Sequence, residues 1–317
     1  MSGNAFDTVS VVMPCYNGAQ YLAQAMDSAL AQTHRPIEIL IVDDGSKDNS
    51  AELVRKYERD FPDRGIRLIQ QPNAGEPAAR NTGIFASKGT WVAQLDTDDW
   101  WEPPKLAMQL EAARKAGDDC VLVHTGVVGH LPDGKLNPSP AVSNRVGWCT
   151  KALLDPTSIG HPSIMVRKDA LEKIGGYDPD FKQACDIDLY FRLSAIGTFV
   201  HVPDRLLHYR YHAGQMSASP VKQIRFHHRA VRKFFEQHPE KLAEIGPDYV
   251  SAKLAEHVGV KLESLYWRRN LPGFRELLAY ADENKLDNDV IRAWRKRARW
   301  PNWVIRLKDR LTGGRKA

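Results

Sequence analysis

Cysteine is scarce in this chain: there are four in 317 residues, at Cys15, Cys120, Cys149 and Cys185. No two form a C-x-x-C pair, which excludes a zinc ribbon and a disulfide framework and leaves a reducing cytoplasm as the expected compartment. No run approaches the roughly 18 consecutive apolar residues of a spanning helix. The opening MSGNAFDTVS has no basic stretch followed by an apolar one, so no secretory leader is expected. Long repeats and low-complexity tracts are missing too. What is there is ordinary: hydrophobic residues make up 43% and charged residues 26%, which excludes a wholly disordered or collagen-like chain. The length suits one large domain or two ordinary ones.

Charge is unevenly spread. The whole chain carries +5, yet residues 292–317 hold ten Lys/Arg against one acid, Asp309. The tail is therefore +9 and the remaining body −4. Within 292–311 the basic residues alternate with Trp294, Trp300, Trp303, Ile305 and Leu307, a pattern suited to an anionic membrane surface, or to a basic helix packed on its neighbours. Nucleic acid is not an expected partner, because the body is acidic and no binding module is present.

From residue 9 to about 125, strand and helix patterns alternate. Val9–Met13, Ile37–Val42, Arg67–Gln70, Trp91–Leu95 and Cys120–His124 read as strands. Ala19–Leu30, a helix capped by Asp48 or Ser50, Pro77–Ala86 and Pro103–Ala116 read as helices between them. This alternation predicts an α/β fold with a doubly wound, mostly parallel, Rossmann-like sheet, whose ligands gather at the C-terminal strand ends. Residues 126–218 are more irregular, with helices near 167–174 and 185–195 and strand-like runs at Thr198–Val202 and Leu206–Tyr211. Beyond residue 219 the pattern is helical. The expected division is a domain at 1–218, with halves 1–125 and 126–218, and a C-terminal helical region at 219–317.

Several polar clusters follow strands. Asp43-Asp44-Gly45-Ser46 closes the second strand and serves either as a turn and cap or as a carboxylate that accepts from a base or ribose. Asp96-Thr97-Asp98-Asp99 follows the strand at Trp91–Leu95. Crowded carboxylates repel, and a hard divalent ion bridging a diphosphate would neutralise them, unless they form a solvated turn. Asn73-Ala74-Gly75 precedes Ala79-Arg80-Asn81, where Arg80 pairs with acids or contacts phosphate. Asp186 opens a helix, as a cap or as a general base. In His208-Tyr209-Arg210-Tyr211-His212, His212 is a candidate metal or phosphate ligand.

Val11-Val12-Met13-Pro14-Cys15-Tyr16-Asn17, Asp43-Asp44-Gly45-Ser46, Asn73-x-Gly75 with Ala79-Arg80-Asn81, Asp96-x-Asp98 and Cys185-Asp186 occur in order. Taken together over about residues 8–215, this set resembles the inverting family 2 glycosyltransferases of GT-A fold. The resemblance implies a nucleotide-sugar donor, usually a uridine diphosphate sugar, and Mn²⁺ or Mg²⁺. It places Pro14, Tyr16 and Asn17 at the base pocket and Asp44 on the uracil edge. Arg80 falls near the diphosphate, Asp96 faces the ribose, Asp98 holds the metal, and Asp186 is the base; Asn73 and Gly75 join the expected nucleotide-sugar-binding residues, and His212 is the further metal candidate.

The family usually has Glu before the base, where this chain has Cys185; Asp188 is the alternative base. The Gln-x-x-Arg-Trp signature of processive members is absent, which implies transfer of one sugar per encounter. The implied acceptor is a glycan or a lipid-linked glycan in surface polysaccharide assembly, met in the cytoplasm or peripherally on the inner membrane face. A non-catalytic nucleotide-sugar sensor or scaffold is the alternative. Trp148 and His161, in the stretch Leu131–His161, are candidate acceptor contacts.

Overall fold

The computed structural model describes residues 7–139, 143–155, 159–212 and 220–299. These fall into two compact units, one drawn from 1–152 and 158–215 and the other from 153–157 and 216–317.

The first unit is built on strands β1 (Val9–Cys15), β2 (Glu38–Asp43), β3 (Ile66–Gln70) and β4 (Trp91–Gln94), which alternate with helices α1 (Ala19–Leu30), α2 (Ser50–Asp60) and α3 (Glu76–Ala86). It continues through β5 (Trp100–Trp101), α4 (Lys105–Ala116), β6 (Cys120–His130), β7 (Leu136–Pro138), β8 (Met165–Arg167), α5 (Lys168–Lys173), α6 (Cys185–Ser194) and β9 (Thr198–Arg210). Among the described residues these nine strands form one sheet in the order β3-β2-β1-β4-β8-β6-β9-β5, with β7 on β6. β1 pairs in parallel with β2 on one side and β4 on the other. The chain therefore changes direction across the sheet at β1, and a crevice opens there at the C-terminal strand ends.

Both faces of β1 and β2 are covered, which is why they read as nearly unbroken apolar runs. Val9, Val11 and Met13 join Leu22 and Met26 of α1 and Leu106 and Leu110 of α4 in the core. Each such side chain contributes roughly 1.5–3 kcal/mol when fully buried. On the opposite face α3 lies directly on β1. A Cβ at Gly83 would come within 2.4 Å of Val12 Cγ1, so only glycine lets this helix approach.

Several expected boundaries move. The two runs at Thr198–Val202 and Leu206–Tyr211 are one strand, β9, because register shifts between Thr125 and Val127 of β6 absorb the interruption. β6 runs on to His130, past the expected end at His124. Helix α4 starts at Lys105, two residues after Pro103. Neither Asp48 nor Ser50 is the residue flanking α2, which is Asn49. Asp48 nonetheless serves that end, accepting from Ser50 N at 3.0 Å, and it accepts from Ala19 N at 3.0 Å.

The second unit is helical: α7 (Pro220–Gln237), α8 (Pro239–Ile245), α9 (Pro247–Trp267), α10 (Leu271–Glu283) and α11 (Asp289–Ala298). Asn270 and Asn288 cap α10 and α11 by accepting from Gly273 N and Ile291 N. Trp294 of α11 packs at 4.7 Å from the Tyr266 ring and 5.6 Å from Phe274. Arg292 pairs with Asp287 and Asp289, Arg295 with Asp282 and Asp287, and Arg297 donates to Tyr266 Oη. In the described part of the basic tail, Trp294 and three of the arginines are thus engaged within their own unit. Trp300, Trp303 and the rest of 300–311 lie outside the described residues. No described helix is long and apolar enough to cross a membrane.

Candidate active site

Three loops meet at the C-terminal ends of β1, β2 and β3. Asn17 takes a left-handed conformation (φ 52°), which asparagine tolerates well. Its side chain accepts from Lys47 N at 2.7 Å, and its own N–H donates to Ser46 Oγ at 2.9 Å. Asp43 accepts from Ser46 N and from Gln70 Nε2, each at 3.0 Å. Asp44 is buried. It accepts from Gln71 Nε2 at 2.7 Å, Ala74 N at 2.9 Å and Gly75 N at 2.8 Å. Its carboxylate therefore pins the Asn73–Gly75 turn, which Gly75 enters at φ 91°. Pro14 is half-buried in β1, while Tyr16 (54% exposed) and Asn73 stand open on this rim.

Gly75 ends the turn where α3 begins, and that helix carries Arg80 inward until 1% of its side chain is exposed. The guanidinium donates to Asp96 Oδ1 at 2.6 Å and to Gln94 Oε1 at 3.1 Å. Two of its nitrogens reach Glu76 Oε1, at 2.9 and 2.5 Å. Burial opposes the Arg80 charge, but the Asp96 and Glu76 carboxylates outweigh it and hold the pKa above the ordinary value. Arg80 thus pairs with both carboxylates at the end of β4 and the start of α3.

Beyond β4 the chain turns through Asp96–Asp99. Carboxylate oxygens of Asp96, Asp98 and Asp99 lie within 4.8 Å of one another. Burial raises the Asp96 pKa; Arg80 opposes this, while Glu76 and Asp98 add to it. Asp99 is buried and its pKa is pushed well up, first by burial and then by Asp96 and Asp98. Asp99 Oδ1 accepts from Arg210 N at 2.9 Å, but Oδ2 is buried with no partner. An orphaned carboxylate oxygen beside two more carboxylates, all hard donors, fits a divalent cation.

The short strand β5 staples this acidic loop to β9, pairing Trp100 with His208 and Trp101 with Leu207. Alternation along β9 directs His208 and Arg210 to one side, and His212 follows two residues after the strand ends. His208 Nε2 meets Glu102 Oε1 at 2.6 Å, and its Nδ1 meets His130 Nε2 at 2.9 Å. His212 Nε2 lies 2.8 Å from Asp98 Oδ2, beside the aspartate group.

Asp186 lies in the first turn of α6, just after Ala184 at φ 55°. Burial lifts its carboxyl to about 6; the Ile187 N–H and Arg80 oppose that, and Glu76 adds to it. Asp188, the alternative base, is buried and tied to Arg192, which donates to the Ile174 and Gly176 carbonyls at 2.9 and 2.8 Å. Cys185 is buried, and burial holds it as a thiol, with Glu76 and Asp186 acting in the same direction.

Glu76 is not singled out from the sequence, and Asp99 reads there only as one of the crowded carboxylates. The burial of Asp99 depends on β9, whose Arg210 N donates to it. Glu76 could have been found from its i,i+4 spacing to Arg80. Of the two candidate acceptor contacts, Trp148 follows Gly147, which pairs with Phe199 near the start of β9, at the other end of the sheet from the aspartates. His161 is held between Tyr177 and Tyr190.

A family model described as glycosyl transferase family 2 matches residues 10–175. An uncharacterised glycosyltransferase of Nostoc sp. is 33% identical over 226 residues, covering 67% of this chain and 67% of that protein. The hyaluronan synthase of Pasteurella multocida is 31% identical over 211 residues, covering 65% of this chain and 21% of the synthase, so the likeness spans a minor part of that enzyme. Among solved structures, Staphylococcus aureus TarS 1–349 in complex with UDP-GlcNAc matches with a TM-score of 0.65 at 17% identity, covering 90% of this chain and 83% of that one. At that identity the likeness is one of fold.

Proposed function

The chain belongs to glycosyl transferase family 2, and from that premise we infer that it moves one sugar from a uridine diphosphate sugar to a hydroxyl of a glycan or lipid-linked glycan, with inversion, in surface polysaccharide assembly. The observation that carries this reading is the crevice at β1. There an aspartate trio, half-buried at Asp96 and Asp98 and buried at Asp99 with one carboxylate oxygen unpartnered, stands across Arg80 from Asp186, whose proton affinity is raised toward neutrality. The relatives named for polysaccharide synthesis and the neighbour bound to UDP-GlcNAc support the donor and product class.

In this reading Pro14, Tyr16 and Asn17 border the base, with Tyr16 offering an exposed ring to stack on it. Asp44 acts by fixing the Asn73–Gly75 turn that closes the pocket. Asp96, neutralised by Arg80, faces the ribose. Asp96, Asp98 and Asp99 would hold Mn²⁺ or Mg²⁺, with His212 oriented by Asp98. Such an ion supplies positive charge that offsets the charge gathering on the departing diphosphate. Asp186 takes the proton from the acceptor hydroxyl as that oxygen attacks the anomeric carbon opposite the leaving group. One displacement inverts the centre without a carboxylate nucleophile.

The test is transfer across a panel of nucleotide sugars with Mn²⁺, alongside Asp186→Asn. That variant is expected to bind donor like the parent and to lose roughly 10²–10⁴-fold in transfer. Equal loss of binding and transfer would defeat the base assignment, and no turnover with any nucleotide sugar would defeat the donor class.

A further inference from the structure

Near Asp186 a half-buried histidine joins two buried tyrosines in a chain of three polar groups. Tyr177 Oη lies 2.7 Å from His161 Nε2, and His161 Nδ1 lies 2.7 Å from Tyr190 Oη. Both ends are anchored in the site. Tyr177 follows Gly176, where a Cβ would come within 2.4 Å of Asn81 Oδ1. The Asn81 amide grips the Tyr177 backbone in both directions at 2.7 Å. The Arg80 guanidinium carbon stands 5.8 Å from the Tyr177 ring centroid. Tyr190 lies four residues after Asp186 on α6, hence on the same helix face.

The proton inventory of this chain is fixed. Burial keeps His161 neutral, and the nearby Arg80 charge acts in the same direction. A neutral imidazole has one N–H and one lone pair, so one tyrosine donates to it and the other accepts. Two hydroxyl hydrogens and one N–H thus serve two bonds, which leaves one hydroxyl hydrogen for an acceptor beyond the chain. The surrounding charges choose which. Arg80 is the strongest charge acting on Tyr177, against the weaker Glu76 and Asp96, and Asp186 is the strongest acting on Tyr190, against the weaker Arg80. The favourable arrangement points oxygen toward the cation and hydrogen toward the anion. Tyr177 then donates to Nε2, Nδ1–H donates to Tyr190, and the Tyr190 hydroxyl hydrogen is left over.

We propose that His161 is a positioning residue for the transfer reaction: as the Nδ1–H tautomer it locks Tyr190 with its hydroxyl hydrogen turned toward the Asp186 carboxylate. A hydroxyl aimed at a carboxylate favours the charged form and limits its rotation. The chain thereby counters the burial that raises the Asp186 proton affinity. It also joins the helix of Arg80 to the helix of the base. The groups facing Asp186 are Glu76 and Arg80 from α3, and Cys185 and Tyr190 from α6 itself. Those facing His161 are Tyr177, Tyr190 and Arg80.

This inference rests on Asp186 being the base. Its test is the pH profile of kcat/KM for the full chain and for Tyr190→Phe, His161→Leu and His161→Gln, with donor Kd and Tm measured beside it. Tyr190→Phe and His161→Leu are expected to move the acid limb up by ~1 pH unit at unchanged donor Kd. His161→Gln, whose amide can accept from one tyrosine and donate to the other, restores the parent limb. Lower activity with an unmoved limb, or the same limb in the Gln and Leu variants, overturns the proposal. Should His161→Leu fail to fold, Tyr190→Phe and His161→Gln decide it. Asp186→Asn in the same assay separates the two ideas. Transfer surviving in Asp186→Asn removes the base and this proposal together, whereas its loss beside an unmoved limb in Tyr190→Phe removes the proposal alone.

Discussion

Arg80 donates to Asp96 over 2.6 Å from a position that solvent barely reaches, and the same nitrogen is shared with Glu76 at 2.5 Å. One cation thus holds two carboxylates at the rim of the crevice. Arg80→Met would leave both half-buried carboxylates without this partner, at a cost of about 2–3 kcal/mol. Denaturant unfolding should show that loss, with a smaller one in Arg80→Lys, which keeps the charge without the planar fork. A loss below 1 kcal/mol in Arg80→Met would mean that water screens the site.

The acid side of the pH profile follows from Asp186. A general base works deprotonated, and burial lifts this carboxyl to about 6. Transfer should be at its plateau above that pH and fall about ten-fold per unit below it. An acid limb near the ordinary carboxylate value of about 4 would place the base elsewhere.

Asp99 offers a separation of stability from cation affinity. Its unpartnered Oδ2 faces like charges, so Asp99→Asn removes repulsion while keeping the shape. Without added metal the variant is expected to be more stable than the parent by about 1 kcal/mol. With Mn²⁺ and UDP it should show a smaller rise in Tm than the parent. Equal rises in both proteins would remove Asp99 from the cation site.

The helical unit should be acid-sensitive. His227, His228 and His257 cluster there, with ring centroids 4.4 Å apart for His227 and His257 and 6.1 Å for the other two pairs. Burial lowers all three pKa values, that of His227 to about 3, and each ring has a buried Nε2 without a partner. The folded state therefore resists protons that the unfolded chain accepts near pH ~6.5. Stability is full above that value and drains as pH falls toward the folded pKa values. Hydrogen exchange over 220–299 should accelerate below pH ~6.5, with a shallower dependence in His257→Gln. Exchange that does not change between pH 7 and 5 would contradict this.

Gly83→Ala adds one methyl group where α3 meets Val12. Overpacking of this kind costs typically ~1–3 kcal/mol. Because Arg80 and Glu76 ride on the same helix, donor affinity should fall along with stability. A variant as stable as the parent would show that α3 can lift from β1 freely.

Much of this protein was written in its sequence. Apolar runs fixed β1, β2 and β4, the period of Leu22, Met26 and Ala29 fixed α1, and the ordered acidic motifs marked the crevice. These signals survive in one dimension because they depend on residues within a turn or a strand of each other. The rest depends on how elements dock. That Arg80 meets Asp96 was decided by the approach of α3 to β1 across Gly83. Whether Asp99 was a surface turn or a buried orphan was decided by β9 closing over it. The role of His161 needed α6 and the Tyr177 turn to arrive on either side of it. Such contacts come from the summed packing of a whole sheet, and no local pattern contains that sum.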